Sequence, residues 1–110
     1  MAGNSWDRMG RMEAAFESVA PVLRAAARAA GARVEEYVQE DPVWRLQAPA
    51  GSVDVAWSEQ APDAFELVSI WREGGQIRRG EVRRWTIEQP ASDLEQILSE
   101  ALGSLPEPNR

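Results

Sequence analysis

The sequence predicts an α+β fold: an antiparallel meander sheet of four to five strands, with an N-terminal and a C-terminal helix packed on one face, in the order α-β-β-β-β-β-α. Three observations carry this. Four of the five tryptophans, Trp44, Trp57, Trp71 and Trp85, fall one apiece on four successive stretches that alternate or nearly alternate apolar and polar residues. That is the period of a half-buried strand. Each end of the chain instead carries an apolar stripe at helical spacing. Gly- and Pro-based turn signals separate the stretches.

The first helix is read from Met9, Met12, Phe16, Val19, Leu23, Ala26 and Ala30, which follow one another at alternating steps of three and four. Asn4 or Ser5 is the candidate N-cap and Gly31 the C′ stop. Pro21 lacks the N–H that would bond the Glu17 carbonyl, so a kink or break is expected near Ser18 to Ala20. The stripe stays in phase across Pro21, which favours a kink. A coiled-coil seam is the competing reading, but its last third is only alanine.

Val34 to Gln39 follows as a short strand between Gly31 and Asp41-Pro42, although Val34, Tyr37 and Val38 also suit a helix. In Val43 to Ala48, the residues Trp44, Leu46 and Ala48 share one face, and Pro49-Ala50-Gly51 is a turn. In Ser52 to Glu59, Val53, Val55 and Trp57 alternate with Asp54, Ala56 and Ser58, before a loop at Ala61-Pro62-Asp63.

Ala64 to Glu73 and Gln76 to Glu88 form a long hairpin through Gly74-Gly75, whose positive φ angles suit a type I′ turn. Phe65, Leu67, Ser69 and Trp71 make one face of the outgoing strand; Glu66, Val68, Ile70 and Arg72 make the other. On the return strand, a bulge near Arg83-Arg84 would bring Val82 onto the face of Trp85 and Ile87. Gly80 is expected opposite Ser69, leaving a gap that a neighbouring ring could cover.

The final helix has a capping box, Ser92 and Glu95, just after Pro90. Leu94, Ile97, Leu98, Ala101 and Leu102 form its stripe, and Gly103 ends it. Residues 1–110 read as one domain, with a core over about 6–104 and a loose tail over 105–110.

The composition excludes more chemistry than it suggests. The chain has no cysteine or histidine, and all 12 basic side chains are arginine. Thiolate nucleophiles, disulfides, Cys-type zinc sites, imidazole general bases and lysine Schiff bases are therefore absent. No nucleophile elbow or Gly-rich phosphate loop occurs. The expectation is a protein that is not an enzyme, with no cofactor and no metal site. The net charge of −6 disfavours nucleic acid as a partner. No apolar run is long enough for a membrane helix, and a cytoplasmic location is expected.

Three groups of residues are candidate sites. Trp44, Trp57, Trp71 and Trp85 could line a ligand pocket between helices and sheet, or simply fill the core. Asp54, Ser58, Ser69 and Thr86 are the nearby polar residues that could satisfy indole N–H groups. Arg72, Arg78, Arg79, Arg83 and Arg84 form a candidate partner- or anion-binding hairpin. The stretch from Trp71 to Trp85 holds five arginines against two glutamates, while the rest of the chain holds seven against sixteen acidic residues. The alternative is a solvated hairpin whose arginines pair with Glu66, Glu81 and Glu88. Glu35, Glu36, Glu40 and Asp41 form an acidic cluster without a metal-loop spacing, best read as a charged edge.

The element order and acidity are similar to those of bacterial secretion chaperones, which carry a further helix between the third and fourth strands; here only Ser58 to Asp63 is available. Small acidic immunity proteins and adaptors share the same outline. The leading expectation is a non-enzymatic protein-interaction domain of chaperone, adaptor or immunity type, binding another protein or itself as a homodimer. The alternatives are a small-molecule binder with the tryptophan-lined pocket, and an anion or single-stranded nucleic-acid binder using the arginine-rich hairpin.

Overall fold

The computed structural model describes residues 5–38, 42–58 and 64–106, with side chains over 10–36, 43–58 and 64–106. Helix α1 (Ser5–Ala29) is followed by strands β1 (Arg33–Val38), β2 (Pro42–Ala48), β3 (Gly51–Trp57), β4 (Ala64–Glu73) and β5 (Gln76–Thr86), then helix α2 (Ala91–Gly103). All five strands join one antiparallel sheet in the order β1-β2-β3-β4-β5. The expected α+β meander, flanked by N- and C-terminal helices, is therefore the fold. The Asn4 cap, Gln39 and the Ala61-Pro62-Asp63 loop lie outside the described residues.

Strand register explains why one face is apolar. Trp44 pairs with Val55 and Val55 with Leu67, while Trp57 pairs with Phe65 and Phe65 with Trp85. All six are buried on the side the helices cover. Helix α1 packs over β1 and β2, α2 over β3, β4 and β5, and the helices touch each other. Met12, Phe16, Val19 and Leu23 supply the α1 side of the core; Leu94, Leu98 and Ala101 supply the α2 side. Each large apolar side chain so enclosed contributes about 1.5–3 kcal/mol.

Four local expectations need correction or refinement. Helix α1 runs unbroken through Pro21. Pro21 and Glu17 are exposed, so the carbonyl left without a helical donor faces water. In the last turn Ala27 is buried, Ala26 is only half-buried, and Ala30 lies beyond the helix in solvent. The stripe steps by four after Leu23, and the helix has already stopped at a Schellman cap. There the Ala32 N–H donates to the Ala27 carbonyl at 2.7 Å, the Gly31 N–H donates to the Arg28 carbonyl at 3.2 Å, and Gly31 takes φ 68°.

The capping box of α2 does not form. Pro90 is the N-cap and makes no side-chain cap bond, which leaves Ser92 inside the first turn. Gln89 ties the β5–α2 corner instead. Its side-chain oxygen Oε1 accepts the Thr86 N–H at 2.9 Å, and its side-chain Nε2 donates to Asp93 at 3.2 Å. Glycine chemistry explains the hairpin better. Gly74 and Gly75 take φ 59° and 80°, as the tight turn requires.

The β5 bulge sits earlier than Arg83-Arg84. The register shifts between the Ile70–Arg79 and Val68–Val82 pairs, at Gly80-Glu81. Gly80 is the natural place, because its missing Cβ lets the Trp71 ring close over it; a Cβ there would stand 3.2 Å from that ring. The correction reverses Val82. It pairs with Val68 on the outward face, opposite in facing to Trp85, while Ile87 falls in a turn past the end of β5.

Candidate functional site

The four tryptophans do not form one group. Trp44, Trp57 and Trp85 are buried, and Trp71 is half-buried at the far end of the same face. Phe65 is the hub that reading the tryptophans alone misses. Its ring lies 4.7 Å from Phe16 and 5.0 Å from Trp57, both edge-on, and 6.2 Å from Trp85, stacked. Phe16 in turn stacks on Trp44 at 5.8 Å. These spacings are those of mutually packed rings.

The polar partners also differ from expectation. The Trp85 indole donates to the Pro90 carbonyl at 3.1 Å, and Trp71 donates to Glu73 at 3.4 Å. Ser69 is fully buried and donates to the Ala101 carbonyl at 2.9 Å, pinning β4 to the end of α2. Asp54 faces away from the indoles altogether and takes a two-pronged hydrogen bond from Arg45, at 2.7 and 3.0 Å.

The sheet divides the five hairpin arginines. Arg78 and Arg83 stand opposite Trp71 and Leu67, on the helix side. Arg72, Arg79 and Arg84 stand opposite Ile77, Ile70 and Glu66, on the outward side. Arg84 is paired with Glu66 at 2.8 Å. Among the described residues, Arg72, Arg78, Arg79 and Arg83 have no ion-pair partner. Cross-strand neutralisation, the bland reading of this hairpin, thus accounts for one arginine of the five.

Arg72 and Arg79 line a cleft of about 550 Å³ at the turn end of the outward face. Its other walls include Ile70, Ile77, Ser52 and the Pro49-Ala50 turn. Gly51, Trp71, Arg45 and Gln47 complete it, and Arg45 and Gln47 are not legible as site residues without the β2–β3 register. The Gln47 amide donates to the Ala48 and Gly51 carbonyls at 3.2 and 3.3 Å, which ties the turn down. Among the described residues, two large apolar side chains are open on this face, Ile77 at 64% and Val82 at 54% exposure. Val43, Ala56, Val68 and Ile70 lie on the same face, and the Arg45–Asp54 and Arg84–Glu66 pairs interrupt them.

The acidic cluster is split in the same way. Glu35 pairs with Arg33 at 3.3 Å and stands across from Arg45, whereas Glu36 stands across from Trp44 on the other face. Glu36 accepts from Arg24 at 3.3 Å, and the Arg24 guanidinium lies 5.1 Å over the Trp44 ring. Glu40 and Asp41 lie outside the described residues. Among the described residues, no group of three or more carboxylates is positioned to hold a metal ion, and no helix is long and apolar enough to cross a membrane.

No protein-family model, curated protein or solved structure matches this chain.

Proposed function

We propose that this protein is a non-enzymatic interaction domain, of the adaptor or chaperone kind, that binds a partner protein on the outward face of its sheet. The observation that carries this reading is the pairing of unneutralised Arg72 and Arg79 with open Ile77 on a face that neither helix covers. Arginine beside exposed aliphatic surface is the composition of a protein-binding patch. The absence of histidine, cysteine and lysine supports a role in binding over one in catalysis.

The other two readings have less support. Three of the indoles needed for a tryptophan-lined pocket are engaged by phenylalanine rings. A single-strand platform needs several aromatic faces open to stacking bases; those same three are buried, which leaves only the half-buried Trp71 beside the arginines among the described tryptophans. An acidic partner is favoured because two exposed arginines without an ion-pair partner among the described residues call for opposite charge.

Exchange of both residues, Arg72→Ser with Arg79→Ser, leaves the fold intact because both are exposed. Immobilised wild-type protein is expected to retain a partner from a lysate of the source cells. The double variant retains about tenfold less, the loss expected for charge-assisted contacts. Arg78→Ser, on the helix side, retains it fully. Equal capture by all three proteins would reject this surface.

A further inference from the structure

The outward end of the β4–β5 hairpin is a checkerboard. Ile70 lies across from Arg79 and Arg72 across from Ile77, so the two arginines occupy one diagonal and the two isoleucines the other. Diagonal neighbours in an antiparallel pair stand about 7–8 Å apart. In an extended peptide, side chains two residues apart point the same way and are separated by about 6.5–7 Å. The geometry points to an extended acidic segment of a partner protein, with two carboxylate residues separated by a single residue, as the occupant of this cleft. This rests on the reading of the protein as an interaction domain and names the chemistry its partner must present.

Each feature of the cleft has a part in that recognition. Arg72 and Arg79 have no acidic partner among the described residues, so a carboxylate reaching them displaces water and breaks no ion pair. Each guanidinium can grip a carboxylate with two parallel N–H donors. Arg45 lines the same cleft but is already held by Asp54, so it walls the site. Ile77, open to solvent across from Arg72, gives the cleft an apolar wall beside the acidic pair. A volume of about 550 Å³ suits a short peptide stretch. A nucleic-acid strand carries charges at similar intervals, but it would face a chain of net charge −6 and a single half-buried indole, Trp71, where a strand platform offers several open rings.

The test uses a fluorescently labelled peptide, Ser-Glu-Thr-Glu-Thr-Leu-Ser, and the full chain, followed by anisotropy at low salt. Its permuted form, Ser-Glu-Glu-Thr-Thr-Leu-Ser, has the same charge and composition but sends the two carboxylates to opposite sides. The alternating peptide is expected to bind about tenfold more tightly than the permuted one. Arg72→Ser with Arg79→Ser abolishes that preference, while Arg78→Ser retains it. Equal binding of the two peptides overturns the proposal, as does binding of neither. Binding of an oligothymidylate that is lost in the double variant, with neither peptide bound, also overturns it and assigns the cleft to phosphodiesters. Partner capture that still depends on Arg72 and Arg79 after the peptides fail would leave the interaction domain standing with a partner of other chemistry.

Discussion

Phe65→Ala is expected to remove about 3–5 kcal/mol of stability, the range for deleting a large ring from a closed core. A domain of this size has roughly 5–15 kcal/mol in total, so the variant stands near the edge of folding. The ring is 0% exposed and touches Phe16, Trp57 and Trp85 at once, so its loss uncouples α1, β3 and β5 together. The surroundings cannot collapse readily into the space, because the neighbours are rigid rings anchored on separate elements. Phe65→Leu keeps most of the volume and loses only the ring contacts, about 1–2 kcal/mol. Urea unfolding followed by tryptophan fluorescence measures both. A loss below about 1 kcal/mol for the alanine variant would mean that the aromatic cluster does not hold the layers together.

The second large effect comes from a glycine at the first residue of β3. A Cβ on Gly51 would overlap the Ile70 carbonyl oxygen and stand 3.0 Å from both the Trp71 Cβ and a Leu105 methyl. Two of those three atoms are fixed by the β4 backbone, so Gly51→Ala must push β3 and β4 apart where they pair. Overpacking of this kind costs about 1–3 kcal/mol. It also shows that Leu105, expected in the loose tail, packs at the turn end of the sheet. Gly10 supplies the control. It lies inside α1 with nothing within 4 Å of the place an added methyl would take, so Gly10→Ala should stabilise by about 0.5–1 kcal/mol through helix propensity alone. Thermal unfolding of the two variants should therefore shift in opposite directions. A shared direction would refute the packing described at Gly51.

The fold was legible where the pattern had one period and one face. Val53, Val55 and Trp57 alternate without interruption, and β3 is buried as that alternation requires. The hairpin turn was legible because Gly74-Gly75 has few other conformational uses. What escaped was settled by tertiary contacts. The position of the bulge depended on the Trp71 ring covering Gly80, a contact between two strands that no local window reveals. The α2 cap failed because Pro90 could start the helix ahead of Ser92, while Gln89 closed the corner.

The candidate site was half legible for the same reason. Arg72 and Arg79 stood out in the charge count, but so did Arg78 and Arg83, which belong to the other face. The two-residue turn fixes the sides of Arg72, Arg78 and Arg79, but Arg83 and Arg84 are sorted only once the bulge is located, since every residue beyond Gly80 changes side with it. Arg45, Gln47 and Ser52 reach the cleft through the β2–β3 and β3–β4 registers. The second of these follows a connection whose length the sequence leaves open, between Ser58 and Ala64.

The strictly sequential strand order has a consequence for how the chain organises itself as it is made. Each ladder joins neighbours along the chain, so the sheet can grow by successive short loop closures, the fastest kind of long-range ordering. Helix α1 emerges first, yet the rings against which Phe16 rests arrive with β2 and β4. Its apolar stripe therefore stays uncovered until β4 has been made, and that interval is one in which a nascent chain is exposed to association with others.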